Sequence, residues 1–176
     1  MEKRTAKRKR QWLNLLQEMR TPLEPSVFAT QSAFLDLTEL ASTAANGLGG
    51  ENLIEIRNDV EETMLAFIAA IICSDGFESD EDVFLKLLLD WHGQKENNVR
   101  LVNEYATRWA LISKRVPRFF EIAVQYDKIH HEEIARAMLR SIQLIGNNAC
   151  VSDKKTARCE RQIVREYVSL LEASIE

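Results

Sequence analysis

Three groups of residues have the chemistry to do something specific: an acidic loop, a paired-histidine segment and a basic arm. The loop reads Ser74-Asp75-Gly76-Phe77-Glu78-Ser79-Asp80-Glu81-Asp82. Carboxylates gathered on a turn suit a hard cation such as Ca²⁺ or Mg²⁺, which takes oxygen ligands. The strict EF-hand pattern fails: counted from Asp75, it puts Phe77 at the third ligand position and Lys86 at the twelfth, where a bidentate carboxylate is needed. A looser set of Asp75, Glu78 and Asp82, completed by water and backbone carbonyls, keeps enough oxygens. Glu61 or Glu62 could join it from the preceding helix. The competing use of these acids is to cap a helix N-terminus and favour its dipole.

His130-His131-Glu132-Glu133 invites a metal or acid/base role, but neighbouring helical residues point about 100° apart and cannot share one ligand. His92 is the sole other histidine, and no HExxH spacing exists, so surface histidines at a helix start are expected. No GxSxG elbow, P-loop or Rossmann glycine pattern occurs, which disfavours an enzyme. Cys73, Cys150 and Cys159 are odd in number and lack CxxC spacing, so reduced, packed thiols are expected rather than disulfides or zinc.

The arm carries Lys3, Arg4, Lys7, Arg8, Lys9 and Arg10, followed by an apolar face of Trp12, Leu15, Leu16 and Met19. Such charge neutralises nucleic-acid phosphates in a salt-dependent way, docks on an acidic protein surface, or serves as a solubilising tail. Lys114, Arg115 and Arg118 surround the Pro117 turn, and Arg158, Arg161 and Arg165 recur at helical spacing. The net charge of -4 hides a segregation: +5 over residues 1–20, -12 over 21–99 and +3 over 100–176. Segregation of this kind points to partners.

The elements that must position these groups are helices. The chain has 176 residues, only six Gly and three Pro, and too few breakers for a strand-rich fold. Residues 1–22 read as a basic arm with a short amphipathic helix from Lys7 to Arg20, stopped by Pro22 and Pro25. Residues 23–176 read as one all-α domain, a compact bundle making seven to eight helices in all. Further helices are expected from Ser26 to Asn46 (apolar face Phe28, Phe34, Leu35, Leu37, Leu40), Glu51 to Ser74, Ser79 to Gly93 and Asn98 to Ser113. Others follow from Arg118 to Tyr126, His130 to Ile145 and Ser152 to Ala173. The apolar run Met64 to Cys73 is about half of what a membrane span requires and reads as the central buried helix. The absence of a secretory signal leads to the expectation of a cytoplasmic protein.

The apolar-helix, polar-loop, Ser-Asp start of 71–82 has an analogue at 144–155, running Leu144-Ile145-Gly146-Asn147-Asn148-Ala149-Cys150-Val151-Ser152-Asp153-Lys154-Lys155. Common ancestry of two halves and chance similarity of helical hairpins both account for it. The first copy, through Asp75-Gly76, Ser79 and Glu81-Asp82, resembles the loop of the tellurite-resistance TerB-like family. That resemblance covers residues 55–175 loosely and about ten residues closely. It implies a compact all-α domain of two similar halves, with acidic positions proposed to hold a divalent cation. It also implies an accessory or adaptor role beside a larger protein in bacterial stress response or phage defence. The chain departs from the family at Phe77-Glu78, and its second copy has Asn148-Ala149 and Lys154-Lys155 where the acids would be. Oligomeric state is not legible in the sequence.

Overall fold

The computed structural model describes residues 23–77, 79–89, 95–150 and 158–176. The arm residues Lys3, Arg4, Lys7, Arg8, Lys9 and Arg10, together with Trp12, Glu78 and Lys154-Lys155, lie outside the described residues. The described chain is all-α: α1 (Leu23–Leu48), α2 (Leu53–Ile72), α3 (Ser79–Leu89), α4 (Lys95–Ile112), α5 (Arg118–His130), α6 (Ile134–Ala149) and α7 (Arg158–Glu172). No strand occurs among the described residues, and no helix there is long and apolar enough to cross a membrane.

The expected central helix is α2. Asn52 opens it, its side-chain oxygen accepting from Ile54 N–H at 3.1 Å while its amide donates to Glu55. From Thr63 to Ile72 every residue is buried, so the helix needs neighbours on all sides. Helices α1, α4, α5, α6 and α7 all pack on it. Near its middle Phe67 meets Trp109 and Tyr167 at ring-centroid distances of 5.2 Å, and Trp109 and Tyr167 approach each other edge-on at 4.7 Å. Gly146 of α6 admits this cluster: a Cβ there would lie 2.8 Å from Phe67 Cζ and 2.9 Å from Val164 Cγ2.

Helix α1 buries part of the expected face: Leu37 is fully buried, and Phe34 and Leu40 pack against the core. Val27, Thr30, Ala33, Leu37, Ala41, Ala44 and Ala45 face the core, whereas Phe28 and Leu35 are 70% and 65% exposed. Small residues let α1 lie close along α6, its most extensive neighbour, which offers Ala135, Met138, Ile142, Ile145 and Ala149. Hydroxyls on α1 are made compatible with burial by bonding back one turn, as Thr30 does to Ser26 O (2.7 Å) and Ser42 to Thr38 O (2.8 Å). Pro25 does not block the helix, because the first turn has no intrahelical use for its missing N–H.

The paired histidines end a helix instead of starting one. His130 is the last residue of α5, and His131 takes the left-handed conformation (φ 57°) of a C-terminal cap, its N–H donating to Asp127 O. Two helices are capped by carboxylates borrowed from elsewhere. Neither Pro117 nor Glu133 makes a side-chain cap bond. Instead, Phe119 N–H of α5 donates to Asp59 Oδ2 of α2 (3.0 Å), and Ile134 and Ala135 N–H of α6 donate to the two oxygens of Asp127 (2.9 and 2.8 Å).

Burial holds the Asp59 carboxyl above its ordinary value, outweighing the backbone N–H groups of Phe119 and Arg118 and the charge of Arg115, which pull the other way. The folded state therefore prefers the protonated form more than the unfolded state does. The stability contributed by this group is greatest at low pH and declines as pH rises through the carboxylate range. Relative to Asp59→Asn, which does not titrate, wild type should lose stability as pH rises through and above the ordinary carboxylate range, and run parallel once the folded-state carboxyl is also ionised. Asp59→Ala should cost about 1 kcal/mol through the lost cap. Denaturant melts across pH check both.

Candidate functional site

Carboxylates from three elements meet at the end of α2. Asp75 sits in the turn after α2, Glu81 in the first turn of α3 and Glu160 in the first turn of α7, and one oxygen of each lies within 4.8 Å of the others. Asp75 is exposed, whereas Glu81 and Glu160 are completely buried. Each position follows from the local fold. Gly76, at φ 117°, turns the chain sharply after α2, and α7 packs against α2, bringing Glu160 to the turn.

The arrangement differs from the set expected from spacing. Asp82 does not belong to the group: its oxygens accept from Lys86 Nζ at 2.6 Å and from Asn98 Nδ2 at 3.0 Å. Glu62 is held in an ion pair with Arg108 (2.9 Å), and neither it nor Glu61 belongs to the group at Asp75. Glu81 and Glu160 replace them. Both sit on apolar stripes, Glu81 with Phe84, Leu85 and Leu88, and Glu160 with Val164, Tyr167 and Leu171. A carboxylate at a core position of the helical period was the signal that could have found them.

Two buried carboxylates this close repel by roughly 3 kcal/mol at an effective dielectric of about 20, on top of the cost of desolvating each. Protons, an internal cationic side chain or a bound cation are the ways to offset this. The donor set is all oxygen, which suits Mg²⁺ or Ca²⁺ better than a thiophilic metal. Asp75 gives the site a route to solvent.

Two thiols border the site. Ser74 Oγ lies 3.4 Å from Cys159 Sγ, and Cys73 Sγ lies 3.7 Å from Asn103 Oδ1. Burial, assisted by the Glu81 charge, pushes the Cys73 thiol up to about 11. No disulfide joins Cys73, Cys150 or Cys159.

A cleft of about 460 Å³ opens beside the N-terminal half and middle of α2, between α4 and α5. Asp59 and Glu62 of α2, Arg108 and Leu111 of α4, and Arg115 and Arg118 around the Pro117 turn line it. Arg108 is engaged by Glu62 and Glu104, and Arg118 by Glu51 at 2.6 Å. Arg115 makes no ion pair among the described residues. The Tyr167 hydroxyl is buried with no hydrogen-bond partner among the described residues, and burial, with the Asp59 charge adding and Arg115 opposing, pushes its ionisation to higher pH. Arg158, Arg161 and Arg165 are all exposed on α7, as their spacing suggested.

Cys73 reports on the acidic site. Its thiol should resist iodoacetamide at about pH 8, where only a small fraction is thiolate, and react progressively faster toward about pH 10. Glu81→Gln removes the neighbouring charge and should move that profile to lower pH. Peptide-resolved alkylation rates measure it, and an unchanged Cys73 profile in the variant would contradict the assignment.

Comparison with family models, curated proteins and solved structures returned no match for this chain.

Proposed function

We propose that this chain is a non-enzymatic helical accessory module in which a divalent cation, held by Asp75, Glu81 and Glu160, fastens the α2–α3 turn to α7. The fastened bundle then serves as a binding surface for a larger protein partner. The observation that carries the reading is the convergence of three carboxylates from three elements, two of them completely buried. The loop pattern Asp75-Gly76, Ser79, Glu81-Asp82 supports it through the TerB-like resemblance, which implies a cation at acidic positions and an accessory role in stress response or phage defence. The partner half of the reading is supported by charge segregation along the chain and by the exposed Phe28 and Leu35 on α1.

Cation binding to the folded state alone must raise its stability by mass action. Protein stripped with EDTA and titrated with Mg²⁺ and Ca²⁺ in parallel should melt about 5 °C higher at saturation with the preferred ion. Asp75→Asn should weaken this shift, and Glu81→Gln with Glu160→Gln should abolish it while leaving the metal-free protein at least as stable as wild type. A melting temperature indifferent to both ions would reject the cation. So would a metal-free double variant much less stable than wild type, since that result assigns the acids to an internal ion pair.

A further inference from the structure

We propose that the cleft between α2, α4 and α5 is a docking site for a partner's peptide segment that places an acidic residue next to an apolar one. In this arrangement Arg115 takes the carboxylate, and Leu111, Val116 and Pro117 take the apolar side chain.

The case begins with charge. The cleft is lined by three arginines and three acids, yet these do not cancel evenly. Glu62 is spent on Arg108, Glu121 lies 3.9 Å from Arg118, and Asp59 is directed to the N-terminus of α5 through Phe119 N–H. Arg115 is the lining cation left without an ion pair among the described residues, and its distance from Asp59 allows only a longer-range effect on that group. A guanidinium with its fork of donors open to a cleft is complementary to a carboxylate.

The apolar half comes from the last turn of α4 and the turn after it. Leu111 is 77% exposed at the rim, while Ile112 and Pro117 are buried in the wall. A single exposed leucine is ordinary, but here it adjoins a cleft large enough for two side chains and an uncommitted arginine. Arginine is among the residues enriched at the centre of protein interfaces.

The inference deepens the partner half of the proposed function and is independent of the cation. The probe is a fluorescein-labelled peptide of alternating Asp and Leu, titrated with the full chain and followed by anisotropy in EDTA and again in Mg²⁺. Saturable binding is expected in both, weaker by about fivefold or more in Arg115→Gln and by a smaller factor in Leu111→Ala. Both side chains are exposed, so the variants should melt with wild type, and the melts are recorded as a control. Peptides with Asn or Lys in place of Asp should bind far less. Absence of saturation up to about 1 mM, equal affinity for the Lys peptide, or affinity indifferent to Arg115→Gln would overturn the proposal. Octanoate displacing the peptide at comparable affinity would overturn it in favour of a small carboxylate. A cation-dependent melting shift with no peptide binding would sink this inference alone, and the reverse would sink only the cation site.

Discussion

From Thr63 to Ile72 every residue of α2 is buried, and that demand organises the rest of the bundle. A helix apolar on all sides gains from burial only if other helices surround it, and each must approach without leaving its own backbone ends unsatisfied. The surrounding helices meet this in two ways. Small residues, as on α1 and at Gly146, let backbones come close. Carboxylates reaching across from neighbouring elements, Asp59 to α5 and Asp127 to α6, close helix starts whose own residues cannot.

The same helix separates two chemically different ends. At its C-terminus the chain turns at Gly76 and gathers Asp75, Glu81 and Glu160, an oxygen-rich group partly open to solvent. Toward its N-terminus Asp59 and Glu62 help to line an arginine-rich cleft. Tyr167 on α7 lies between them, touching Phe67 and Trp109 with its ring while its hydroxyl feels the cleft charges. Glu160 and Tyr167 share the buried face of α7, so the first turn of that helix and the aromatic contact with Phe67 and Trp109 belong to one seam.

Much of the architecture was legible because helical periodicity and sharp punctuation coincide. The run Met64 to Cys73 ends at Ser74-Asp75-Gly76, and Pro117 marks the start of α5. On α1 the expected face holds at Phe34, Leu37 and Leu40 and fails at Phe28 and Leu35, because much of the seam is made of alanines, which carry little hydrophobic signal each but permit close approach. The histidines were misplaced because a non-glycine left-handed cap at His131 leaves no mark in composition. Of the expected cation ligands, Asp75 lies in the observed cluster and Asp82 does not. Spacing within one loop cannot reveal that Lys86 and Asn98 hold Asp82, nor that Glu160, 85 positions beyond Asp75, closes the group.

Hydrogen exchange resolved to the first turns of α7 tests the central claim most directly, because a cation bridging Asp75, Glu81 and Glu160 must slow the local opening of that junction. With saturating Mg²⁺ or Ca²⁺, amides early in α7 and around the α2–α3 turn should exchange more slowly, with little change at the α5–α6 junction. Exchange at α7 that is indifferent to both ions would contradict the account.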